Sequence, residues 1–328
     1  MKYTAIVFTV LNTLEMRPTT SSVLDAIGDT PCVPLNHIVP DGSARVFLKL
    51  EFFNPTGSYK DRMAKSIIEE AEHQGKLQPG MTVIEASGGS TGSALAFVCA
   101  VKGYKFRVVT SNAFSSEKLR TMSAFGGQVD IVQSPSGKLT PELLPTMIQH
   151  TRSVAAEHQN TYFADQFNNS DAFIGYEHMG NELVHQFPQG IDGFCGAVGG
   201  AGMLSGVSKV LRRHFPSCRI LALEPESSPL LSLGRLGLHH VEGIGPGFYP
   251  PLLDKQLYDE AWGIPEEEAR SMCQRLAREE GLLVGTSTGL NVVAALNLAK
   301  ELGPEKTVVT VACDTGIKYM SGDLFPLE

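Results

Sequence analysis

Short apolar runs recur along the chain at 46–51, 82–86, 106–110, 129–132, 161–165, 194–198, 220–223 and 307–312. Stretches of helical periodicity lie between them at 62–74, 92–102, 117–125, 141–158, 203–215, 265–280 and 290–302. The runs are mostly continuous in apolar residues rather than alternating, the pattern of strands buried on both faces. Strand followed by helix, many times over, predicts parallel sheets with helices on both sides. Two such blocks are visible, at roughly 55–155 and 160–328, with a short break at 134–140. Residues 226–263 have little periodicity and many Gly and Pro. A loop of that length inside a compact domain is often functional. No internal repeat or low-complexity segment interrupts the pattern.

Composition narrows this picture. A chain of 328 residues suggests about two domains. Net charge is −8 with no long basic run, which argues against nucleic acid or an anionic membrane as partner. The six cysteines include no C-x-x-C pair and are expected to be buried free thiols of a reducing compartment. No apolar run reaches the roughly 18 residues of a membrane span. The apolar stretch 5–11 has one lysine before it, Glu15 and Arg17 behind it, and no clear small-residue cleavage site. Residues 1–19 are therefore expected to be an extension rather than a targeting peptide, and the location cytoplasmic.

Five segments carry candidate chemistry. In Asn54-Pro55-Thr56-Gly57-Ser58-Tyr59-Lys60-Asp61-Arg62, a tight turn runs into an amphipathic helix. Lys60 is expected near the helix N-terminus, where the dipole disfavours an ammonium. A neutral amine is what Schiff-base chemistry needs; a surface lysine opening a helix fits the local pattern too. Ser87-Gly88-Gly89-Ser90-Thr91 follows an apolar run and opens a helix, a turn of the kind that presents N–H groups to carboxylate or phosphate. Gly199-Gly200-Ala201-Gly202-Met203 repeats that arrangement. With Gly206 and Glu224 it also approximates a dinucleotide fingerprint, so nucleotide pyrophosphate, a cofactor monophosphate and a plain tight turn all remain open there. Gly285-Thr286-Ser287-Thr288-Gly289 offers either a helix cap at Ser287 or Thr288, or a hydroxyl for a cofactor's ring nitrogen. Asp165-Gln166-Phe167-Asn168-Asn169 is an amide-rich strand end. No zinc-protease, P-loop or serine-elbow motif occurs, and His239-His240 is not expected to bind metal.

In this order the motifs resemble the fold-type II pyridoxal-phosphate enzymes, closest to the cysteine synthase and cystathionine β-synthase group. The likeness runs from about Ser22, through Leu24-Asp25-Ala26-Ile27-Gly28-Asp29-Thr30-Pro31, to Phe325, with Asn54 to Arg62 its most specific part. The resemblance implies two doubly wound, three-layer αβα domains with pyridoxal 5'-phosphate between them, usually in a homodimer. It assigns 55–155 to a smaller domain and 20–54 plus 156–328 to a larger one. It makes Lys60 the Schiff-base lysine and Ser87, Gly88, Gly89, Ser90 and Thr91 the loop that grips the substrate carboxylate. Gln166 assists that carboxylate, Gly199 to Met203 hold the cofactor phosphate, and Ser287 meets the pyridine nitrogen.

The sequence departs from the family's usual loops. Gly88 and Ser90 stand where Thr-Ser-Gly-Asn-Thr-Gly has serine and asparagine, that asparagine normally contacting the cofactor's ring oxygen. Gly200 and Met203 replace the threonines of Gly-Thr-Gly-Gly-Thr. Near the end, Cys313-Asp314-Thr315-Gly316-Ile317-Lys318-Tyr319 replaces Pro-Ser/Asp-Ser-Gly-Glu-Arg-Tyr. The implied activity is β-replacement on an activated L-serine, such as O-acetylserine, with sulfide, through α-aminoacrylate to L-cysteine. Dehydratase or cystathionine β-synthase-type chemistry is the nearest alternative, and the lack of a haem-binding or regulatory segment favours the cysteine synthase type. A nicotinamide oxidoreductase and a non-catalytic regulatory homologue are the rivals from other classes.

Overall fold

The computed structural model describes residues 19–327, apart from 115, 136, 138, 139 and 141. The proposed extension therefore lies almost wholly outside the described residues. Strands β1 (Cys32–Pro34), β2 (Arg45–Leu50), β7 (Gly193–Ala197), β8 (Arg219–Pro225), β9 (Glu260–Ile264) and β10 (Thr307–Ala312) form one sheet in the order β1-β2-β10-β7-β8-β9. Only β1 is antiparallel to its neighbour. A second, all-parallel sheet takes β3 (Thr82–Ala86), β4 (Lys105–Ser111), β5 (Gln128–Val132) and β6 (Thr161–Phe163) in the order β5-β4-β3-β6. The expected α/β architecture with mostly parallel sheets is observed. Strands β7 and β10 are buried throughout, which explains why neither carries a charged residue.

Helices cover the sheets: α1 (Lys60–His73), α2 (Ser90–Lys102), α3 (Ser116–Ala124), α4 (Leu143–Glu157), α5 (Ala172–Gln186), α6 (Gly202–His214), the short α7 (Leu230–Leu233), α8 (Glu266–Glu279) and α9 (Thr286–Leu302). Among the described residues no helix is long and apolar enough to cross a membrane.

Three elements were not legible in the hydrophobic pattern. Helix α5 buries Ala172, Gly175, Tyr176, Met179, Gly180 and Leu183 at helical spacing, but half of that face is small residues. Its glycines allow close packing: a Cβ on Gly175 would lie 2.3 Å from Arg62 O, and one on Gly180 2.8 Å from Val210 Cβ. Strand β9 is an edge strand with only Ile264 buried, and β1 is three residues long. The expected domain division at 155 also needs correction. Strand β6 pairs with β3, so the smaller sheet draws on the chain as far as Phe163.

The charged end of the 54–62 motif is structural. Arg62 is buried, with Nε 2.7 Å from Glu51 Oε2 and Nη1 2.7 Å from Glu182 Oε1. Lys49 Nζ lies 2.6 Å from the other Glu182 oxygen. The two cations hold the Glu182 carboxyl well down, to about 2, against the opposing effect of burial. This network ties β2, α1 and α5 together and fixes the helix that Lys60 opens. Arg62→Met would leave Glu51 buried without its cation. It is expected to destabilise the fold by about 3–5 kcal/mol, read as a lower denaturant midpoint at unchanged slope.

Both sheets reverse direction of build near one place. In the smaller sheet β3 leads to β4 and β5 on one side while β6 returns to the other. In the larger, β7 leads to β8 and β9 while β10 returns beside β7. The carboxyl ends of strands at such switch points leave a crevice where ligands bind in open α/β sheets. The four segments at these ends begin at residues 87, 164, 198 and 313.

Candidate active site

One pocket is lined by Lys60, the 87–91 loop, Gln166, Gly199, Gly200 and Ser287. Motifs far apart in sequence thus meet at the two switch points.

Lys60 is the first residue of α1, as its turn-then-helix sequence predicts. Gly57, at φ 74, makes the preceding turn and donates its N–H to Asn54 O at 2.7 Å. The segment after β10 clasps this turn: Tyr59 N donates to Cys313 O and Thr315 N to Gly57 O, both at 3.0 Å. Burial lowers the Lys60 amine to about 8, while Cys313, Asp314 and Glu85 pull the other way. The helix dipole was the expected cause; the lowering here comes from desolvation. A lowered pKa means the amine sheds its proton at lower pH than an ordinary lysine. The rate at which Lys60 condenses with an added aromatic aldehyde should rise about tenfold per pH unit below about 8 and level off above it. The growth of visible absorbance after adding the aldehyde to the protein measures this.

The 87–91 loop is braced from within. Ser87 Oγ accepts from Gly89 N at 3.2 Å and Gly92 N at 3.0 Å, so this hydroxyl shapes the loop. Gly88 lies against Phe114, whose ring would meet any added Cβ at 2.1 Å. Thr91 Oγ1 donates to Gln166 Oε1 at 2.7 Å, and Gln166 Nε2 donates to Ala86 O at 3.1 Å. Gln166 N in turn donates to Glu85 Oε2 at 3.0 Å, which locks the end of β6 to the end of β3. Ser90 opens α2 and accepts a hydrogen bond from Lys318 Nζ at 3.2 Å.

At the second glycine turn, Gly199 is held by close approach: a Cβ there would sit 2.3 Å from Gly243 O. Ala201 adopts the left-handed conformation, φ 66, and among the described residues no side chain caps the first turn of α6. Such an uncapped helix start suits a phosphate. Gly199 and Gly200 face the pocket, whereas Ala201, Gly202 and Met203 do not line it. Met203 turns its methyl toward Gly196, 2.7 Å from where a Cβ there would be, so only its backbone is left for a ligand.

Glu224, the acidic residue of the dinucleotide alternative, is already occupied. Its carboxylate accepts from Leu231 N at 2.6 Å, Ser232 N at 2.9 Å and Ser232 Oγ at 2.7 Å. It therefore caps α7 and is not presented to a ribose. Helix α9 begins at Thr286 with Gly285 as its N-cap, correcting the expectation of a cap at Ser287 or Thr288. Thr288 Oγ1 instead accepts from Cys313 N at 2.9 Å, and Ser287 lines the pocket beside Cys313. Burial pushes the Cys313 thiol up to about 12, so it is neutral.

Several further pocket residues had no role expected from the sequence. Asp314 lies two residues past the end of β10, and its Oδ1 is buried without a hydrogen-bond partner among the described residues. Its other oxygen accepts from Tyr319 Oη at 2.9 Å. Lys118 stands over the Tyr319 ring, 4.8 Å from its centroid, and pairs with Glu242 from the glycine-rich loop. That ion pair ties α3 to the part of the 226–263 loop, near Gly243, that packs on Gly199. The loop's length was the one signal that pointed there.

The profile of the family described as pyridoxal-phosphate dependent enzyme matches residues 23–314. A cysteine synthase of Staphylococcus aureus is 41% identical over 310 residues, covering 94% of this chain and 97% of that protein. The crystal structure of a cysteine synthase from Entamoeba histolytica superposes with a TM-score of 0.89 at 31% identity, over 95% of this chain and 92% of that one. An O-ureido-L-serine synthase gives 0.86 at 34% identity, over 94% and 96%.

Proposed function

Because the chain belongs to the pyridoxal-phosphate dependent enzyme family, we propose that it exchanges the β-substituent of an activated L-serine, such as O-acetylserine, for sulfide, and so forms L-cysteine. Its cofactor is pyridoxal phosphate. The residues present fit that group: a buried amine of lowered pKa, the Gly199–Gly200 turn that leads into the uncapped start of α6, and the Ser287 hydroxyl at the start of α9 meet at one pocket. Lys60 would hold the cofactor covalently, Gly199 and Gly200 with the first N–H groups of α6 would receive its phosphate, and Ser287 would meet its ring nitrogen. When bound, the cofactor delocalises the negative charge that forms at the substrate's Cα.

The remaining work belongs to the chain. N–H groups of the 87–91 loop take the substrate carboxylate, and Gln166, pinned by Thr91 and Ala86, keeps the loop in register with β6. Lys60, once its amine is released, removes the proton from Cα and later returns it. Its lowered pKa makes it a competent base near neutral pH. Ser287 is neutral and cannot force a proton onto the ring, which restrains charge delocalisation and favours early departure of the β-leaving group. Phe114, Leu143, Leu236 and Ile244 wall the pocket with apolar surface, limiting water that would otherwise compete with sulfide.

The observation that carries this reading is the buried Lys60 amine in one pocket with both glycine turns. The test supplies the purified holoenzyme with sulfide and, separately, O-acetylserine, O-phosphoserine and serine. Cysteine is expected from at least one activated serine. Its absence with all three would overturn the reading.

A further inference from the structure

We propose that Lys318 acts through Ser90 to make that hydroxyl a directed, charge-assisted donor to an anionic oxygen of whatever occupies the pocket. An ammonium has donors only, so in the 3.2 Å contact with Lys318 Nζ the serine oxygen must be the acceptor. The hydroxyl's own proton is then left to point elsewhere. Among the described residues no acceptor takes it, and Ser90 lines the pocket. The contact spans 228 residues and joins the start of α2 to the segment Gly316–Tyr319.

The position of Lys318 is built rather than incidental. Its Cε lies 3.8 Å from where a Cβ on Gly57 would be, so its stem runs along the turn that leads to Lys60. The same segment holds that turn through the Thr315–Gly57 hydrogen bond. Burial lowers the Lys318 amine and Lys118 acts the same way, while Asp314 and Asp61 favour its ammonium. The Lys318 ammonium sits against the first residue of α2, where the dipole opposes it. Asp314 and Asp61 favour it there, and the same charge would support an anion beyond the serine. Two anionic oxygens are available to such a donor, the ring oxygen of the cofactor and the carboxylate of the amino acid.

This inference rests on the pyridoxal-phosphate reading but is tested apart from sulfide turnover. Holoenzymes of wild type, Lys318→Met, Lys318→Arg, Ser90→Ala and the Lys318→Met/Ser90→Ala double variant are compared. The readouts are cofactor retention by visible absorbance during dialysis, KM for O-acetylserine, and melting temperature. Lys318→Met and Ser90→Ala should each weaken retention or raise KM by about tenfold. The double variant should do little more than either alone, because the two act as one unit. Lys318→Arg should recover most of the loss. A defect in retention without amino acid assigns the ring oxygen, and a defect confined to KM assigns the carboxylate. Additive single effects, or a lower melting temperature with retention and KM unchanged, would overturn the proposal. A wild-type protein that retains no cofactor would instead overturn the pyridoxal-phosphate reading beneath it.

Discussion

Lys60→Ala is expected to yield a folded protein that holds no cofactor covalently and has lost at least about 10³-fold in turnover. The size follows from two losses at one atom: the nucleophile that carries the cofactor, and the base that moves the Cα proton, which alone contributes roughly 10²–10⁴-fold. The fold should survive. Helix α1 is anchored by Arg62 to Glu51 and Glu182, and by the apolar face around Met63, Ile67 and Ile68, not by the Lys60 side chain. Replacing a buried amine also removes a group that burial disfavours as an ion. Visible absorbance, circular dichroism and a cysteine assay on the same preparation would check this. A variant with the visible band intact would show that another group carries the cofactor.

Gly199→Ala should be nearly as damaging by a different route. The added methyl would sit 2.3 Å from the carbonyl oxygen of Gly243, a backbone atom that cannot rotate away. The loop would have to move, and with it the Gly245 N to Val198 O hydrogen bond of 3.0 Å. Overpacking of this kind costs typically about 1–3 kcal/mol. Here the strain falls on the glycine turn itself, so cofactor retention should drop by about 10- to 100-fold, the same energy expressed at the site. Gly200→Ala is the matched comparison. Its Cβ would meet nothing closer than 3.5 Å, an ordinary contact, so its effect on stability should be small. Equal stability losses in the two variants would contradict the close-approach argument.

The sheets were legible because buried parallel strands leave mostly apolar runs free of charge, as β7 and β10 do. The glycine turns were legible because backbone that must approach a ligand or another loop tolerates little else. Helix α5 was not: close packing against α1 and α6 required Gly175 and Gly180, which erased the apolar stripe. The pairing of β6 with β3 also escaped notice, since sheet order depends on contacts far apart in sequence. Lys60 was found from its turn, but its lowered pKa comes mainly from burial, a property of the assembled pocket. Of the three readings of the second glycine turn, the dinucleotide one lost its acidic residue only in the structure, where Glu224 caps α7. Lys318, Asp314 and the Lys118–Glu242 pair escaped because their significance is purely three-dimensional. A lysine 228 residues from its serine leaves no periodic trace.

The central claim is that the Lys60 amine, its pKa lowered by burial in the crevice between the two sheets, carries the cofactor. Reducing the holoenzyme with borohydride and mapping the pyridoxyl mass by peptide sequencing tests it directly. The mass should fall on the peptide containing Tyr59-Lys60-Asp61. Finding it on Lys118 or Lys318, or on no lysine at all, would contradict the account.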